Sequence, residues 1–185
     1  MLILVGKSCS GKDTIRNKLV AYHGFKKMVT YTDRPPRRGE KDGEAYHFVS
    51  PEEFQQMIAA GFFLEWKEYH TVQGVWHYGS ALDDYDKAEK KTVVILTPAG
   101  YVDFLDKSDK ADDHLCVYVY SNLSTITERL KKRGDKKEEA ERRILKDIED
   151  FKGFEDMAMQ IVYNNSGTNI DDVINKILAN KYWKY

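Results

Sequence analysis

Cysteines and long apolar runs are both scarce in this sequence of 185 residues. The two cysteines, Cys9 and Cys116, show no paired spacing, which argues against a disulfide framework and a cysteine-rich zinc site and favours a reducing compartment. The apolar segment at 2–5 is far too short for a secretory signal or a membrane span. Together these absences predict a cytoplasmic protein.

An excess of charge of either sign is also lacking. Lysine and arginine number 29 against 30 aspartate and glutamate residues, and the formal net charge is −1. Because no general basic field attracts nucleic acid or an anionic membrane, we expect neither as a partner. Any anion site has to be built from local charge. The length favours one domain with inserted lobes.

Apolar runs and helical patterns alternate along much of the chain. Continuous runs rich in β-branched and aromatic residues, typical of strands buried on both faces, occur at 2–5, 92–97, 115–120 and 160–164. Apolar residues at helical spacing occur at 12–22, 124–133, 138–151 and 170–179. This alternation predicts an α/β layer fold with a parallel sheet.

The segment from about 30 to 85 breaks this rhythm. It contains the adjacent prolines Pro35 and Pro36 and many aromatic residues. The sequence SPEE at 50–53 predicts a helix that begins with a capping serine, and FFLEWKEY at 62–69 predicts a strand. We interpret the segment as a small lobe inserted into the main fold.

A glycine-rich loop follows the first apolar run. Residues Gly6 to Lys12 read GKSCSGK and lie between a predicted strand and a predicted helix. The N–H groups of such a loop bind phosphate, and its lysine reaches the terminal phosphates of a nucleotide. The hydroxyl residue expected next is replaced by Asp13, and Thr14 comes one place later. The carboxylate of Asp13 either helps to hold Mg²⁺ or only stabilises the helix N-terminus, and the sequence leaves both readings open.

A basic segment stiffened by proline indicates a second phosphate site. Arg34, Arg37 and Arg38 lie close to the Pro-Pro pair at 35–36, which restricts the backbone. Planar guanidinium groups bind phosphate oxygens in a forked geometry, and Tyr46 adds a hydroxyl donor. An ordinary solvated basic turn is the alternative interpretation.

Several motifs, in order along the chain, resemble those of guanylate kinases. The segment from Thr30 through Phe48 has the pattern T-x-x-x-R-x-x-R-x-x-E-x-x-G-x-x-Y-x-F, which is similar to the signature of that family. The further matching segments are FLEW at 63–66, HYGS at 77–80, RLKKRG at 129–134 and EEAERRIL at 138–145, of which the last two resemble the lid of the family. The resemblance extends from the glycine-rich loop to about Asn165.

The resemblance implies a P-loop NTPase-type three-layer α/β fold with a central parallel sheet, an inserted monophosphate-binding lobe and a small lid. It implies one domain with its core at 1–30, 86–130 and 150–185, its lobe at 31–85 and its lid at 131–149. ATP is the phosphoryl donor of the family, and Mg²⁺ is expected with it.

The resemblance also implies the site residues, position by position. The residues expected to bind ATP are Gly6, Ser8, Ser10, Gly11, Lys12, Asp13, Thr14 and Asn164, and Asp13 is also a candidate ligand of Mg²⁺. Those expected to bind GMP are Thr30, Arg34, Arg37, Tyr46, Glu65, Tyr78 and Ser80. Those expected to surround the transferring phosphoryl group are Lys12, Arg34, Arg37, Arg133 and Arg143. Glu65 would accept hydrogen bonds from the N1–H and amine of guanine, which adenine could not supply.

The sequence departs from the family at the end of the strand predicted at 92–97. An Asp-x-Asp-like pattern is expected there, but Ile95 and Thr97 occupy the two places. One hypothesis is that Asp13 supplies the missing carboxylate near the metal, and the alternative is a relaxed choice of base or sugar. Trp76 and His77 either alter the acceptor pocket or pack as ordinary aromatic residues.

The sequence thus predicts an enzyme that transfers the γ-phosphoryl group of ATP to GMP or dGMP. In-line positioning and charge stabilisation would carry the reaction, and closure of the lid would exclude water. The alternatives are a kinase of the same fold with another acceptor, either another nucleotide or a sugar phosphate, and a non-catalytic binding module. Lys12 in an intact loop argues against the module, and Glu65 with Ser80 argues for a guanine acceptor.

Overall fold

A parallel sheet forms the centre of the computed structural model, which describes residues 1–37, 39–44, 46–71 and 74–184, so that Arg38 lies outside the described residues. The strand order is β2-β7-β1-β8-β9, and every pair in it is parallel. These strands are β1 Leu2–Val5, β2 Lys26–Lys27, β7 Thr92–Ile95, β8 Leu115–Tyr120 and β9 Gln160–Tyr163. The predicted α/β fold with a central parallel sheet is confirmed.

The sheet is covered by helices on both faces. Leu2 and Leu4 of β1 pack with apolar residues of α1 (Lys12–His23) and α7 (Ile170–Leu178). Ile3 and Val5 point the other way and pack with residues of α3 (Leu82–Asp86) and α4 (Pro98–Lys107). Because neighbouring residues of a strand alternate between the two faces, a strand covered on both sides has to be apolar throughout.

A second, mixed sheet lies within the segment that breaks the rhythm of the sequence. Its order is β4-β3-β6-β5, in which β3 pairs parallel with β4 and antiparallel with β6. The strands are β3 Tyr31–Thr32, β4 His47–Phe48, β5 Phe63–Thr71 and β6 Gly74–Ala81. Helix α2, Pro51–Ala59, begins with the predicted capping box, in which Ser50 and Glu53 exchange hydrogen bonds with each other's backbone.

The charged segment that resembles a lid forms two helices. Helix α5 covers Leu123–Arg133 and ends at Gly134, which has a φ of 84°. Helix α6 covers Lys137–Asp150. Among the described residues, no helix combines the length and the apolar character that a membrane crossing requires.

The strand predicted at 92–97 is shorter than expected. It ends at Ile95 because Thr97 caps helix α4, where its Oγ1 accepts a hydrogen bond from Gly100 N at 3.0 Å. The sequence pattern missed α4, since Pro98 and Gly100 suggest a break although proline suits the first turn of a helix. The other predicted helices and strands agree with the structure to within about two residues at either end.

Candidate active site

The glycine-rich loop joins β1 to α1 and packs against Asn164. Gly11 has a φ of 99°, which favours glycine, and a Cβ there would lie 2.3 Å from Asn164 Nδ2. Asn164 is buried, and its Nδ2 donates to Ser10 O at 2.7 Å. Ser10, Gly11 and Asn164, all expected at the nucleotide site, therefore lie in the packing that shapes the loop.

Lys12 is the first residue of α1, and its ammonium group folds back over the loop. Its Nζ donates to Gly6 O at 2.5 Å and to Lys7 O at 2.8 Å. Burial lowers the pKa of Lys12, and the carboxylates of Asp13 and Asp147 act in the opposite direction. A partly desolvated cation beside the N–H groups of a helix N-terminus favours the binding of phosphate.

Asp13, the unexpected residue of the loop, is paired with a cation of its own helix. Its Oδ1 accepts from Arg16 Nη2 at 2.8 Å, and its side chain is 75% exposed. Thr14 is exposed as well. Nowhere in the described ranges do three or more His, Cys, Asp or Glu side chains form a group that could hold a metal. A Mg²⁺ ion at this site would therefore depend chiefly on oxygen atoms of the nucleotide.

A carboxylate that the sequence did not reveal contacts the loop. Asp147 of α6 accepts a hydrogen bond from Ser8 N at 2.8 Å through its Oδ2. Burial raises the pKa of Asp147, whereas the bond from Ser8 and the charge of Lys12 oppose that rise. The contact joins the lid helix directly to the phosphate loop. In the sequence, Asp147 is one acid in a run of mixed charge, and nothing distinguishes it from its neighbours.

The lid arginines are held by carboxylates of the lid itself. Arg133 Nε donates to Asp135 Oδ1 at 2.7 Å, and Arg143 Nε donates to Glu139 Oε1 at 2.7 Å. Glu139 also accepts from Arg142, and hydrogen bonds from Arg142 and then Arg143 lower the pKa of Glu139 to about 2. The carboxylates fix the guanidinium groups in place before any phosphate binds.

The predicted phosphate corner is organised around Glu40. Arg34 is 3% exposed, and its Nη2 donates to both carboxylate oxygens of Glu40, at 3.0 and 2.9 Å. Glu40 also accepts from Arg37 N at 2.7 Å, which closes the turn. The guanidinium carbon of Arg34 lies 5.6 Å from the centre of the Tyr46 ring. Sequence reasoning found the arginines but assigned no role to the acid that positions them.

Glu65 and Ser80 face each other across β5 and β6. Ser80 Oγ donates to Glu65 Oε1 at 2.6 Å, and Glu65 is only 8% exposed. Burial raises the pKa of Glu65, and the bond from Ser80 opposes that rise. A buried carboxylate beside a hydroxyl offers the acceptors that guanine needs for its N1–H and amine groups.

Gly100, in the first turn of α4, leaves room for this carboxylate. A Cβ at Gly100 would lie 2.9 Å from Glu65 Oε2 and 3.3 Å from Glu65 Cδ. We predict that Gly100→Ala displaces the carboxylate and raises about 10-fold the KM for GMP, the acceptor that the sequence leads us to expect, with little change in the KM for the expected donor, ATP. The Cβ would also lie 3.3 Å from Thr97 Oγ1, which caps α4, so the melting temperature should fall. Steady-state kinetics and thermal unfolding test this, and an unchanged KM for GMP contradicts it.

Trp76 and His77 have different surroundings. Trp76 lines the same cleft as Tyr78. His77 is buried in the lobe, where its ring stacks on Phe54 and its Nδ1 lies 2.5 Å from Asp33 Oδ2. The packed environment of His77 agrees with the aromatic-packing alternative, whereas Trp76 lies where it can affect the acceptor pocket.

A cleft of about 590 Å³ between the loop, the lobe and the lid brings most of the predicted residues together. The predicted residues that line it are Gly6, Ser8, Lys12, Asp13, Thr30, Arg34, Arg37, Tyr46, Glu65, Tyr78, Ser80 and Arg143. The predicted residues outside this lining, as far as the described residues define it, are Ser10, Gly11, Thr14, Arg133 and Asn164. Sequence reasoning missed Arg16, Lys27 and Tyr69, which line it from elements whose patterns gave no functional signal.

Ile95 and Thr97, which stand where acids were expected, line the same cleft. Thr97 uses its Oγ1 to cap α4, and Ile95 is only partly exposed. The carboxylate that lies at the loop comes instead from Asp147 of the lid helix. Because Ile95 and Thr97 carry no carboxylate, the acidic residues near the glycine-rich loop come from helices, with Asp13 on α1 and Asp147 on α6.

Comparisons with known proteins agree on one family. A family model described as guanylate kinase matches residues 1–179. A guanylate kinase of Schizosaccharomyces pombe is 30% identical over 178 residues, which cover 94% of this chain and 81% of the relative. One from Aster yellows witches'-broom phytoplasma is 32% identical over 150 residues, covering 75% of this chain and 65% of the relative. The crystal structure of guanylate kinase from Anaplasma phagocytophilum matches the fold with a TM-score of 0.68 and 20% identity, over 96% of this chain and 81% of that one.

Proposed function

The chain belongs to the guanylate kinase family, and on that premise we propose how its cleft carries out the reaction. The enzyme moves the γ-phosphoryl group of ATP to GMP and releases ADP and GDP. One observation supports the assignment of its site above the others. A single cleft contains both the phosphate loop with Lys12 and the buried pair of Glu65 and Ser80, so a donor phosphate and a guanine fit side by side.

On the donor side, the loop and Lys12 bind the terminal phosphates of ATP. The N–H groups at the start of α1 supply partial positive charge, and Lys12 exchanges its bonds to loop carbonyls for bonds to phosphate oxygens. Ser10, Gly11 and Asn164 contribute by holding the loop in shape.

On the acceptor side, the arginine corner binds the phosphate of the monophosphate. Arg34 and Arg37 present guanidinium groups, while Tyr46, Tyr78 and Thr30 line the same wall. Glu40 holds Arg34 in position, so little side-chain freedom is lost when the phosphate binds.

Glu65 and Ser80 read the base. Ser80 donates to Glu65 when the pocket is empty, and on binding its hydroxyl turns to the O6 of guanine while Glu65 accepts from N1–H and the amine. Adenine would leave the buried carboxylate unpaired, which is costly. The proposed contacts are with the base and the phosphate, whereas GMP and dGMP differ only in the sugar. We therefore propose that dGMP is accepted as well as GMP.

The reaction itself needs positioning and positive charge. With both nucleotides bound, acceptor and donor oxygens lie in line, and Lys12, Arg133 and Arg143 offset the charge on the transferring group. Asp147 of the lid helix contacts Ser8 of the loop, and we propose that closure of the lid over bound ATP excludes water that would otherwise hydrolyse it.

Mg²⁺ is proposed to accompany ATP. Carboxylates are hard oxygen ligands that suit this ion, and Asp13 and Asp147 both lie beside Lys12. Asp13 would hold the ion through its Oδ2, since its Oδ1 accepts from Arg16 Nη2, and Asp147 is the second acid at the loop. When bound, the ion neutralises charge on the phosphates of ATP.

Replacing Asp13 by alanine is expected to raise several-fold the Mg²⁺ concentration needed for half-maximal turnover, because one carboxylate is lost. The rate is measured against free Mg²⁺ at saturating ATP and GMP. Asp172→Ala, which removes an exposed carboxylate from α7, is the matched control. An unchanged Mg²⁺ requirement in Asp13→Ala would exclude Asp13 as a metal ligand.

The division of the chain is also proposed, with the core at 1–30, 86–130 and 150–185, the lobe at 31–85 and the lid at 131–149. The second sheet, whose strands lie between Tyr31 and Ala81, supports the boundary of the lobe. We infer a cytoplasmic location, because both Cys9 and Cys116 are free thiols and the substrates are metabolites of that compartment.

An ADP-release assay with ATP and a panel of acceptors tests the function. The panel contains GMP, dGMP, AMP, UMP, CMP and a sugar phosphate. Turnover with GMP and dGMP well above that with the other acceptors is the expected result. No turnover with either guanine nucleotide would overturn the assignment, and preference for a sugar phosphate would favour a kinase with another acceptor.

A further inference from the structure

Arg16 is a cation in the cleft to which the roles above assign nothing. It lies one turn after Lys12 on α1, and its side chain is 17% exposed and lines the same cleft as Arg34 and Tyr46. Its Nη2 donates to Asp13 Oδ1 at 2.8 Å, and Nη2 and Nε lie 3.4 Å from Asn17 Oδ1. The Arg16 side chain therefore reaches the cleft from the same helix that carries Lys12.

The charges around Arg16 agree with this position. Burial and then the charge of Arg16 lower the pKa of Lys27 to about 8, and Arg16 also acts electrostatically on Tyr46. Lys27 and Tyr46 both line the acceptor side of the cleft. Arg16 thus belongs to a group of cations on that side, where a bound dianion would relieve the mutual repulsion.

Asp13 explains how Arg16 keeps its place among like charges. An isolated guanidinium group beside other cations would turn towards solvent, and the i,i+3 bond to Asp13 opposes this motion. The carboxylate has to stand on the exposed first turn of α1, which is where a P-loop normally carries a hydroxyl residue. The unexpected residue of the loop and the unassigned arginine are therefore one structural unit.

We propose that Arg16 is a further phosphate-binding residue of the acceptor site, which contacts the phosphate of the nucleoside monophosphate, and that Asp13 is its positioning residue. The inference rests on the proposed function, because it requires GMP to bind in this cleft. A planar guanidinium group binds two oxygens of a phosphate at once, which lysine does not reproduce.

Calorimetric binding of GMP without ATP or Mg²⁺ tests the proposal on the full chain. Arg16→Met should weaken GMP binding at least about 10-fold and Arg16→Lys by less, while binding of guanosine, which lacks the phosphate, should not change. Asp13→Asn should weaken GMP binding by a smaller factor and should have no further effect in the Arg16→Met background, because a positioning residue acts through its partner. ADP binding without Mg²⁺ should change less than about 3-fold in the two Arg16 variants.

Lys18→Met is the matched control, since it removes a cation from the same helix that pairs with Asp171. It should bind GMP as the unchanged protein does, and thermal unfolding confirms that each variant is folded. If Arg16→Met does not fold, Arg16→Lys, which keeps the charge, decides by the same measurement. Equal binding of GMP by the unchanged protein and the Arg16 variants would overturn the proposal. Failure of the unchanged protein to bind GMP would instead overturn the proposed function.

Discussion

Replacing Lys12 by alanine is expected to lower kcat/KM for the transfer from ATP to GMP by about 1000-fold or more. Lys12 is the cation of the loop, and its Nζ donates to the carbonyls of Gly6 and Lys7, where we propose that the terminal phosphates bind. Removing a preorganised positive group from such a site costs far more in the transition state than in the ground state. The rate is measured by ADP release at saturating GMP.

The fold should tolerate this change. Burial disfavours the charged form of Lys12 and lowers its pKa, whereas its ammonium group donates to Gly6 O and Lys7 O, so the two effects of alanine oppose each other and the melting temperature should change little. GMP binding without ATP should persist in the variant. Lys26→Ala, which removes an exposed lysine paired with Glu89, is the control and should keep full activity. Substantial turnover by Lys12→Ala would show that the loop is not the donor site.

The second large effect is expected at Glu65. Replacing it by glutamine puts an amide N–H₂ among the N–H groups of guanine, so kcat/KM for GMP should fall about 100-fold or more, and the preference for GMP over AMP should shrink. Glu65 is buried, and Ser80 is its hydrogen-bond partner in the empty pocket. The side-chain oxygen of glutamine can still accept the hydrogen bond from Ser80, so the loss of activity reports on the contact between residue 65 and the base. Glu52→Gln, an exposed change on α2, should have no effect.

The pH dependence of this site has a definite sign. Burial raises the pKa of Glu65, so the carboxyl takes up its proton at a pH above that of an exposed glutamate. The protonated group accepts less well from guanine, and the KM for GMP should rise as the pH falls through the raised pKa. A raised carboxyl pKa also means that this group lowers folded-state stability as the pH rises through the same range. Glu65→Gln should therefore lose the part of both dependences that comes from this carboxyl, and it should be more stable than the unchanged protein at neutral pH. An unchanged KM profile in Glu65→Gln would exclude Glu65 as the titrating group.

The predicted chemistry of the cleft rests on residues that are close in sequence. The loop from Gly6 to Lys12 and the corner around Arg34 each form one short segment, in which residue type and spacing are enough to indicate phosphate binding. The helix α4 escaped prediction because Pro98 and Gly100, which suit its first turn, are also signals of a turn. Gly100 serves Glu65, a residue of another sheet, and that pairing has no local sequence signal.

The sequence by itself determined the alternation of buried strands and helices, the phosphate loop and the ordered motifs of the family, because these depend on the local period of apolar residues and on short spacings. The tertiary structure alone decided that Arg16 lines the cleft and that Asp147 contacts Ser8, although 139 positions separate the last two. Such contacts depend on how the lid and lobe close over the core. Local periodicity carries no information about that packing. A charged residue that contacts another element has the same local sequence pattern as one that is only solvated.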